Sequence, residues 1–355
     1  MSRATEQHNP DNPMCPDCGC KDTVKKGRRR NRFQTLQLFQ CIECLHRFTS
    51  TAGKNRTYPF KHILEGISTY NLGHSLTETQ AQLRKRIRAD VPARTIQAWL
   101  SVHRPLTTYS RLRSAAKKAF TPRTLIRSFT LRHKQVYQFQ THNAKLQLLL
   151  QRPAHRPFLR VTDYLSKVDA SFPHDLFLDT AHRSSSFTAK LNPPIQRKTN
   201  HATEVAKLVL PTSPSNRKRH ETLQRFMLVN DSATVAVEVP VYLSAEDLAY
   251  FRSRGFNLDF DSRIITGHID FLQIRNGYIH ILDYKPEAAK EKHAHVQLTI
   301  YALALSRRVG LPLKSFKCAW FDEEDYFEFF PLQGVYPMTR SWRSRRRTSV
   351  MNGRK

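Results

Sequence analysis

Two alternating apolar runs joined by a tight turn restrict the fold of this chain more than any other feature. The runs are residues 267–275 and 278–285, and Asn276 and Gly277 separate them. An Asn-Gly pair favours a two-residue type I′ turn, because both central residues of that turn need a positive φ. The sequence therefore predicts a β-hairpin with a fixed register.

The register of this hairpin brings charged side chains together. It places Asp270 opposite Asp283 and His268 opposite Lys285, and opposed residues share one face with Cβ atoms roughly 5 Å apart. Opposed carboxylates repel each other unless a cation lies between them, and hard oxygen ligands suit Mg²⁺ or Mn²⁺. The ammonium of Lys285 is placed to orient water or to stabilise charge on a phosphoryl group.

A helix with a polar face follows the hairpin. Gln297 and Tyr301 are four residues apart, so they lie together on that face. The order of Asp270, Asp283-x-Lys285 and the Gln-x-x-x-Tyr pair resembles the PD-(D/E)xK nuclease superfamily, specifically its RecB-like and Cas4-like branch.

The resemblance covers roughly residues 200–332 and implies a role for each side chain. Asp270 and Asp283 would bind the metal, Lys285 would be catalytic, and the glutamine and tyrosine would shape the DNA side of the site. The family also places a histidine or glutamate upstream. His220 is the favoured candidate for that position, and the alternatives are His201 and Glu238.

The net charge of the chain is +29, because 58 Lys and Arg residues oppose 29 Asp and Glu residues among 355. This charge indicates a polyanionic partner, and we expect DNA. The sequence has no apolar run of about 18 residues and no apolar signal core. We therefore expect a cytoplasmic, nucleoid-associated protein without a membrane partner; a homodimer is compatible with the sequence, which does not fix the oligomeric state.

Two Cys-x-x-Cys pairs predict a structural zinc site: Cys15, Cys18, Cys41 and Cys44. Five of the six cysteines lie within the first 44 residues, and in a reducing compartment such clustering indicates metal binding. Zinc would also stabilise a segment too short to build its own core. Three arginines between the pairs are expected to contact phosphates: Arg28, Arg29 and Arg30.

Residues 56–105 predict three short helices. Ser75 and Glu78 form a capping box that opens the second helix, and Pro92 fits the first turn of the third. This is a helix-turn-helix arrangement whose last helix enters the major groove. Three of its side chains could reach base edges: Arg94, Thr95 and Gln97. A zinc ribbon followed by this module resembles the N-terminal DNA-binding half of insertion-sequence transposases.

Residues 91–161 contain fourteen Lys or Arg residues and no Asp or Glu. Helical periodicity in residues 131–150 predicts an arm that follows duplex phosphates, and a poorly ordered linker is the alternative. Further along, the apolar runs 226–230 and 234–243 predict a second hairpin.

These elements predict a multidomain fold, with a zinc ribbon and a three-helix module before an α/β restriction-endonuclease-like core that has a mixed central sheet. The predicted divisions are a disordered segment 1–13, the zinc ribbon 14–54, the helix-turn-helix domain 55–105, a basic helical linker 106–152, the nuclease domain 153–335 and a basic disordered tail 336–355.

The expected function is a metal-dependent DNA endonuclease, targeted by the N-terminal half and linked to mobile elements or DNA repair. It would use structural Zn²⁺ and catalytic Mg²⁺ or Mn²⁺. The alternative is a DNA-binding or transposition accessory protein with an inactive nuclease fold. Metal-dependent cleavage of DNA separates the two interpretations.

Overall fold

The computed structural model describes residues 12–30, 35–49, 57–178, 183–184, 187, 189–258 and 264–336. The two segments predicted to be disordered fall almost entirely outside these ranges. Among the residues described, no helix combines the length and the apolar character that crossing a bilayer requires.

A small antiparallel sheet lies near the N-terminus. Its strands are β1 (Thr23–Arg30), β2 (Thr35–Cys41) and β3 (Arg47–Thr49), in that spatial order. Phe39 and Phe48 stack at 5.9 Å between ring centroids and form its core with buried cysteines. A core of this size is too small to stabilise a sheet without further links.

Three helices follow, as predicted: α1 (Phe60–Asn71), α2 (Leu76–Ile87) and α3 (Ala93–His103). The predicted capping box opens α2. The backbone N–H of Glu78 donates to Ser75 Oγ at 3.1 Å, and the N–H of Ser75 donates to Glu78 Oε2 at 2.7 Å. Ile96 of α3 is fully buried among the three helices.

An eight-stranded mixed sheet forms the centre of the rest of the chain. Its strands are β4 (Ile126–His133), β5 (Gln135–His142), β6 (Gln196–Arg197), β7 (Thr234–Ser244), β8 (Ile264–Arg275), β9 (Tyr278–Tyr284), β10 (Phe316–Phe321) and β11 (Tyr326–Phe329). Their spatial order is β4-β5-β7-β8-β9-β10-β11-β6. Only β9 and β10 pair in parallel among these strands.

Helices cover both faces of this sheet. They are α4 (Ser110–Ala116), α5 (Asn143–Leu150), α6 (Leu159–Lys167), α7 (His201–Val209), α8 (Arg219–Asn230), α9 (Ala245–Arg252), α10 (Ala294–Val309) and α11 (Leu332–Val335). Helix α10 makes the crossover that the parallel pair β9–β10 requires. The result is a mixed α/β architecture consistent with the predicted restriction-endonuclease-like core.

The apolar core is divided between the two faces because side chains alternate along each strand. Leu272 and Ile281 pack on the side of α6 and α10, whereas Phe271 and Leu282 pack on the side of α7 and α8. Leu64 of α1 belongs to the second group. Helix α1 therefore packs directly on the central core.

The predicted hairpin is present. Asn276 and Gly277 have φ of 52° and 74°, and the strands pair from Arg275↔Tyr278 to Phe271↔Leu282 in the expected register. The pairing stops one position before Asp270 and Asp283. On its other edge β9 pairs with β10 from Ile279 to Tyr284, so Asp283 keeps that partner strand.

The predicted helix over residues 131–150 is wrong for most of its length. The chain forms strands through His142, and only Asn143–Leu150 is helical. Leu131 and Phe139 lie on one face of the strand pair and are buried, whereas Val136 lies on the other face and is 69% exposed. Packing of one strand face on the core outweighs the weak helical period.

The predicted strand over residues 226–230 is also wrong, because these residues complete α8. Phe226, Met227, Leu228 and Val229 are all buried there. A short continuous apolar run does not distinguish a buried strand from a buried helix by its periodicity. Only the partner surfaces on each side decide between them.

Candidate active site and zinc centre

A cavity of about 270 Å³ opens beside β7, β8, β9 and α10. The six side chains predicted to be catalytic all line it: His220, Asp270, Asp283, Lys285, Gln297 and Tyr301. They come from three separate parts of the chain, and the fold alone brings them together.

Asp270 and Asp283 meet at the point where β8 and β9 separate. The backbone N–H of Tyr284 donates to Asp270 Oδ2 at 3.1 Å, and Lys285 Nζ forms an ion pair with Asp283 Oδ2 at 2.8 Å. Burial raises the pKa of Asp270 well above its ordinary value, and the charges of Asp283 and Glu238 raise it further. These carboxylates therefore repel one another in the absence of a cation.

Glu238 supplies a third carboxylate. It lies opposite Asp270 on β7, since the residues flanking it pair with those flanking Asp270. Its φ of 52° is unusual for a residue other than glycine. Gln224 Nε2 donates to Glu238 Oε1 at 2.8 Å, yet burial raises the pKa of Glu238 to about 7, with a further contribution from Asp283.

His220, at the start of α8, completes the acidic side of the cavity. Its Nε2 donates to the carbonyl of Tyr284 at 2.8 Å and lies 3.7 Å from Asp270 Oδ2. Burial lowers the pKa of this imidazole, more than the charge of Asp283 raises it. Of the three upstream candidates, His220 and Glu238 line the cavity, whereas His201 lines a separate surface groove.

Gln297 and Tyr301 lie on the wall formed by α10. The hydroxyl of Tyr301 accepts hydrogen bonds from Gln297 Nε2 at 2.9 Å and from Ser184 Oγ at 3.1 Å. The ring of Tyr301 lies against Gly267, where an added Cβ would come within 2.3 Å of Tyr301 Cε1. Glycine is therefore required at this position for the close approach of ring and strand.

A group of aromatic and histidine side chains forms the wall that the sequence did not predict. His268, expected opposite Lys285, instead stacks on Tyr137 at 3.8 Å between ring centroids. Its Nε2 lies 2.9 Å from His133 Nδ1, and His133 Nε2 lies 2.7 Å from His174 Nδ1. The alternating pattern of β4 and β5 was the available signal, and the helical interpretation of that segment concealed it.

The predicted zinc ligands converge near the N-terminal sheet. Cys15 Sγ lies 3.5 Å from Cys44 Sγ, and Cys18 Sγ lies 3.5 Å from Cys41 Sγ. Within the described ranges, these sulfurs form the only group of three or more Cys, His, Asp or Glu ligand atoms lying within 4.8 Å of one another. A tetrahedral ion with bonds of about 2.3 Å fits such a group, so these cysteines could bind zinc.

The residues predicted to contact DNA lie on two separate elements. Arg28, Arg29 and Arg30 are exposed on β1, and Arg94 and Gln97 are exposed on α3. Thr95 is half-buried. Binding of DNA by either surface stays a prediction.

One segment of the chain is similar to a known protein family. No curated protein and no solved structure matches the chain. Residues 176–328, however, match the family model described as the PD-(D/E)XK nuclease superfamily. This segment contains β7 to β10, α10 and the six cavity residues that the sequence singled out. The match to the PD-(D/E)XK nuclease superfamily, together with the mixed α/β fold, suggests that this segment is part of a nuclease domain.

Proposed function

We propose that this chain is a divalent-metal-dependent endonuclease that hydrolyses phosphodiester bonds in DNA. The observation that carries the proposal is the convergence of Asp270, Asp283 and Lys285 in one cavity with His220 and Glu238. Buried carboxylates beside an ammonium are the groups needed to hold a hard cation and to stabilise charge on a phosphate.

The donor set fits Mg²⁺ or Mn²⁺. Asp283 is buried, Asp270 and Glu238 are partly buried, and their charges repel one another, so a cation would relieve that repulsion. Asp270 and Asp283, whose side chains interact directly, would hold the ion, with water in its remaining positions. When bound, the ion supplies Lewis-acid activation of the phosphodiester and lowers the pKa of a coordinated water.

The protein groups around these carboxylates have distinct proposed tasks. Lys285, held by Asp283, would orient the attacking water and stabilise the negative charge that develops on the phosphate. The backbone N–H of Tyr284 would fix the orientation of Asp270, and His220, hydrogen-bonded to the carbonyl of Tyr284, would border the same carboxylate. Gln297 and Tyr301 would shape the side of the cavity that receives DNA.

Targeting is proposed to come from the N-terminal half. A zinc-stabilised ribbon would present the exposed arginines of β1 to phosphates, and α3 would present Arg94 and Gln97 to base edges in the major groove. The net charge of +29 supports a polyanionic partner for the whole chain.

The test is cleavage of supercoiled plasmid and linear duplex with Mg²⁺, Mn²⁺ or EDTA. The wild-type chain is expected to nick or cut both DNAs only with a divalent cation, and Asp283→Asn is expected to be inactive. Asp163→Asn, at an exposed position on α6, is the matched control and is expected to cleave normally. Equal cleavage by wild type and Asp283→Asn, or none by wild type, would refute the proposal.

A further inference from the structure

Strands β4 and β5 form a two-stranded ribbon that is joined to the sheet only near its base. The two strands pair with each other at eight positions, from Ile126↔His142 to His133↔Gln135. Strand β5 pairs with β7 only at Gln140↔Val237 and Thr141↔Ala236. Most of the ribbon therefore has no backbone pairing with β7.

One face of the ribbon forms a wall of the catalytic cavity. Leu131 and Phe139 are buried in the main core, and His133 lies under Phe177 at 4.3 Å between ring centroids. His133 and Tyr137 both line the cavity that contains the acidic residues. The position of the ribbon is thus fixed next to the place where a phosphodiester would be cut.

The opposite face is polar and ordered. Ser128 faces Gln140 and Thr130 faces Gln138 across the ribbon. Gln140 Nε2 donates to Ser128 Oγ at 3.2 Å, and Gln138 Nε2 donates to Thr130 Oγ1 at 3.0 Å. Each glutamine amide has further hydrogen-bonding capacity, so this face offers donors and acceptors in fixed positions.

The charge near the tip favours a polyanion. Arg132 and Lys134 are exposed there, and Arg127 at the base forms an ion pair with Asp169. The ribbon belongs to the segment 91–161, which has fourteen basic residues and no acidic one. Apart from Val136, the exposed face is polar, and its charged side chain, that of Arg132, is positive. It belongs to a ribbon whose other face borders the proposed phosphodiester site, so it is complementary to a nucleic acid backbone.

We propose that the outer face of the β4–β5 ribbon lies in the major groove of duplex DNA and holds the duplex at the mouth of the cavity. A two-stranded ribbon fits the width of that groove. Arg132 and Lys134 contact phosphates, and Gln138 and Gln140 face base edges. The assignment depends on the proposed function in one respect only, since the cavity defines where a scissile phosphate must lie.

The test measures binding separately from cleavage. Fluorescence anisotropy of a labelled duplex is followed in EDTA over a series of salt concentrations, with the full-length chain and the variant Arg132→Gln/Lys134→Gln. The matched control is Arg152→Gln/Arg156→Gln, which removes two exposed charges from the same acid-free segment outside the ribbon. Circular dichroism melting checks that each variant folds.

The ribbon variant is expected to bind more weakly and to lower the slope of log Kd against log salt by about 1.8, which is two phosphate contacts. The control is expected to keep the wild-type slope. Equal losses in both variants would overturn the inference, as would wild-type binding that prefers single-stranded DNA or duplex RNA.

The outcomes distinguish this inference from the proposed nuclease activity. Wild-type cleavage in Mg²⁺ that the ribbon variant retains, with unchanged binding, would refute the ribbon surface and leave the nuclease intact. DNA binding that depends on the ribbon, without any cleavage by wild type, would support the ribbon surface and refute the proposed nuclease activity.

Discussion

The ammonium of Lys285 lies 2.8 Å from the Oδ2 atom of Asp283, two residues earlier in the chain. Burial of this lysine would lower its pKa, but the charges of Asp283 and Asp270 outweigh that effect and raise it. The lysine is therefore fully protonated near neutral pH. It is suited to stabilise negative charge and unsuited to act as a general base.

Replacing Lys285 tests that role. Lys285→Met is expected to slow single-turnover cleavage by about 10² to 10³-fold, because it removes a positive charge from a site where negative charge develops. Lys290→Met is the control, since Lys290 is exposed and pairs with Glu287 on the surface. Duplex binding in EDTA should be unchanged in both variants; cleavage by Lys285→Met at the wild-type rate would exclude the proposed role.

The raised pKa of Glu238 predicts how stability depends on pH. The folded chain holds a proton up to about pH 7, whereas an ordinary glutamate releases it near 4.5. Without divalent cations, the free energy of unfolding should therefore fall as pH rises from 4.5 to about 7. Glu238→Gln keeps the bond from Gln224, so it should be more stable than wild type at pH 8, by on the order of 1 kcal/mol.

Urea unfolding in EDTA at several pH values measures this difference. The same variant should lose affinity for Mn²⁺ if Glu238 helps to hold the cation, which calorimetry can measure. Identical pH profiles of stability for wild type and Glu238→Gln would contradict the assigned pKa.

The contact between Gly267 and Tyr301 predicts a rescue by a second substitution. Gly267→Ala places a methyl group within 2.3 Å of Tyr301 Cε1 and 2.8 Å of Ser184 Oγ, so it should destabilise the chain by about 1–3 kcal/mol. In the Tyr301→Ala variant, the Gly267→Ala substitution should lower the free energy of unfolding only slightly. A double-mutant cycle of unfolding free energies measures the coupling, and strict additivity would be the contrary result.

Lys145 is predicted to contribute strongly to the stability of the fold. It is fully buried, and its ammonium donates to the carbonyls of Leu228 at 2.6 Å and Thr234 at 3.1 Å, beside Asp231. Lys145→Met removes the donor to these carbonyls and leaves the buried charge of Asp231 without its positive partner, so the loss of stability should be about 3–5 kcal/mol. Lys167→Met, at an exposed position, is the control for urea unfolding; similar stability of the two variants would refute this prediction.

The cysteine cluster predicts the metal content of the purified chain. Wild type should contain one zinc per chain, and Cys41→Ser should lose it, because a hydroxyl is a poor replacement for a thiolate ligand. Cys20→Ser is the control, since the Cys20 sulfur accepts a hydrogen bond from the backbone N–H of Asp22 and lies outside the four-sulfur group. Elemental analysis after dialysis measures the zinc content of each variant. Zinc retained by Cys41→Ser would exclude this site.

Sequence patterns predicted the local features well, because each depends on a few adjacent residues. The Asn276–Gly277 turn needs only two positive φ values, and the Ser75–Glu78 capping box needs only one helical turn. The hairpin register follows from the turn. For that reason the sequence by itself groups Asp270, Asp283 and Lys285.

The tertiary structure decided the features that depend on contacts between residues far apart in the chain. Residues 131–142 became a ribbon because one of their faces packs on the core, and residues 226–230 became helix because α8 is enclosed between α1 and the sheet. His220 and Glu238 line the cavity and His201 does not, and this depends on where separate elements pack. Local propensity amounts to tenths of a kcal/mol per residue, whereas burial of each large apolar side chain contributes about 1.5–3 kcal/mol, so packing prevails where the two disagree.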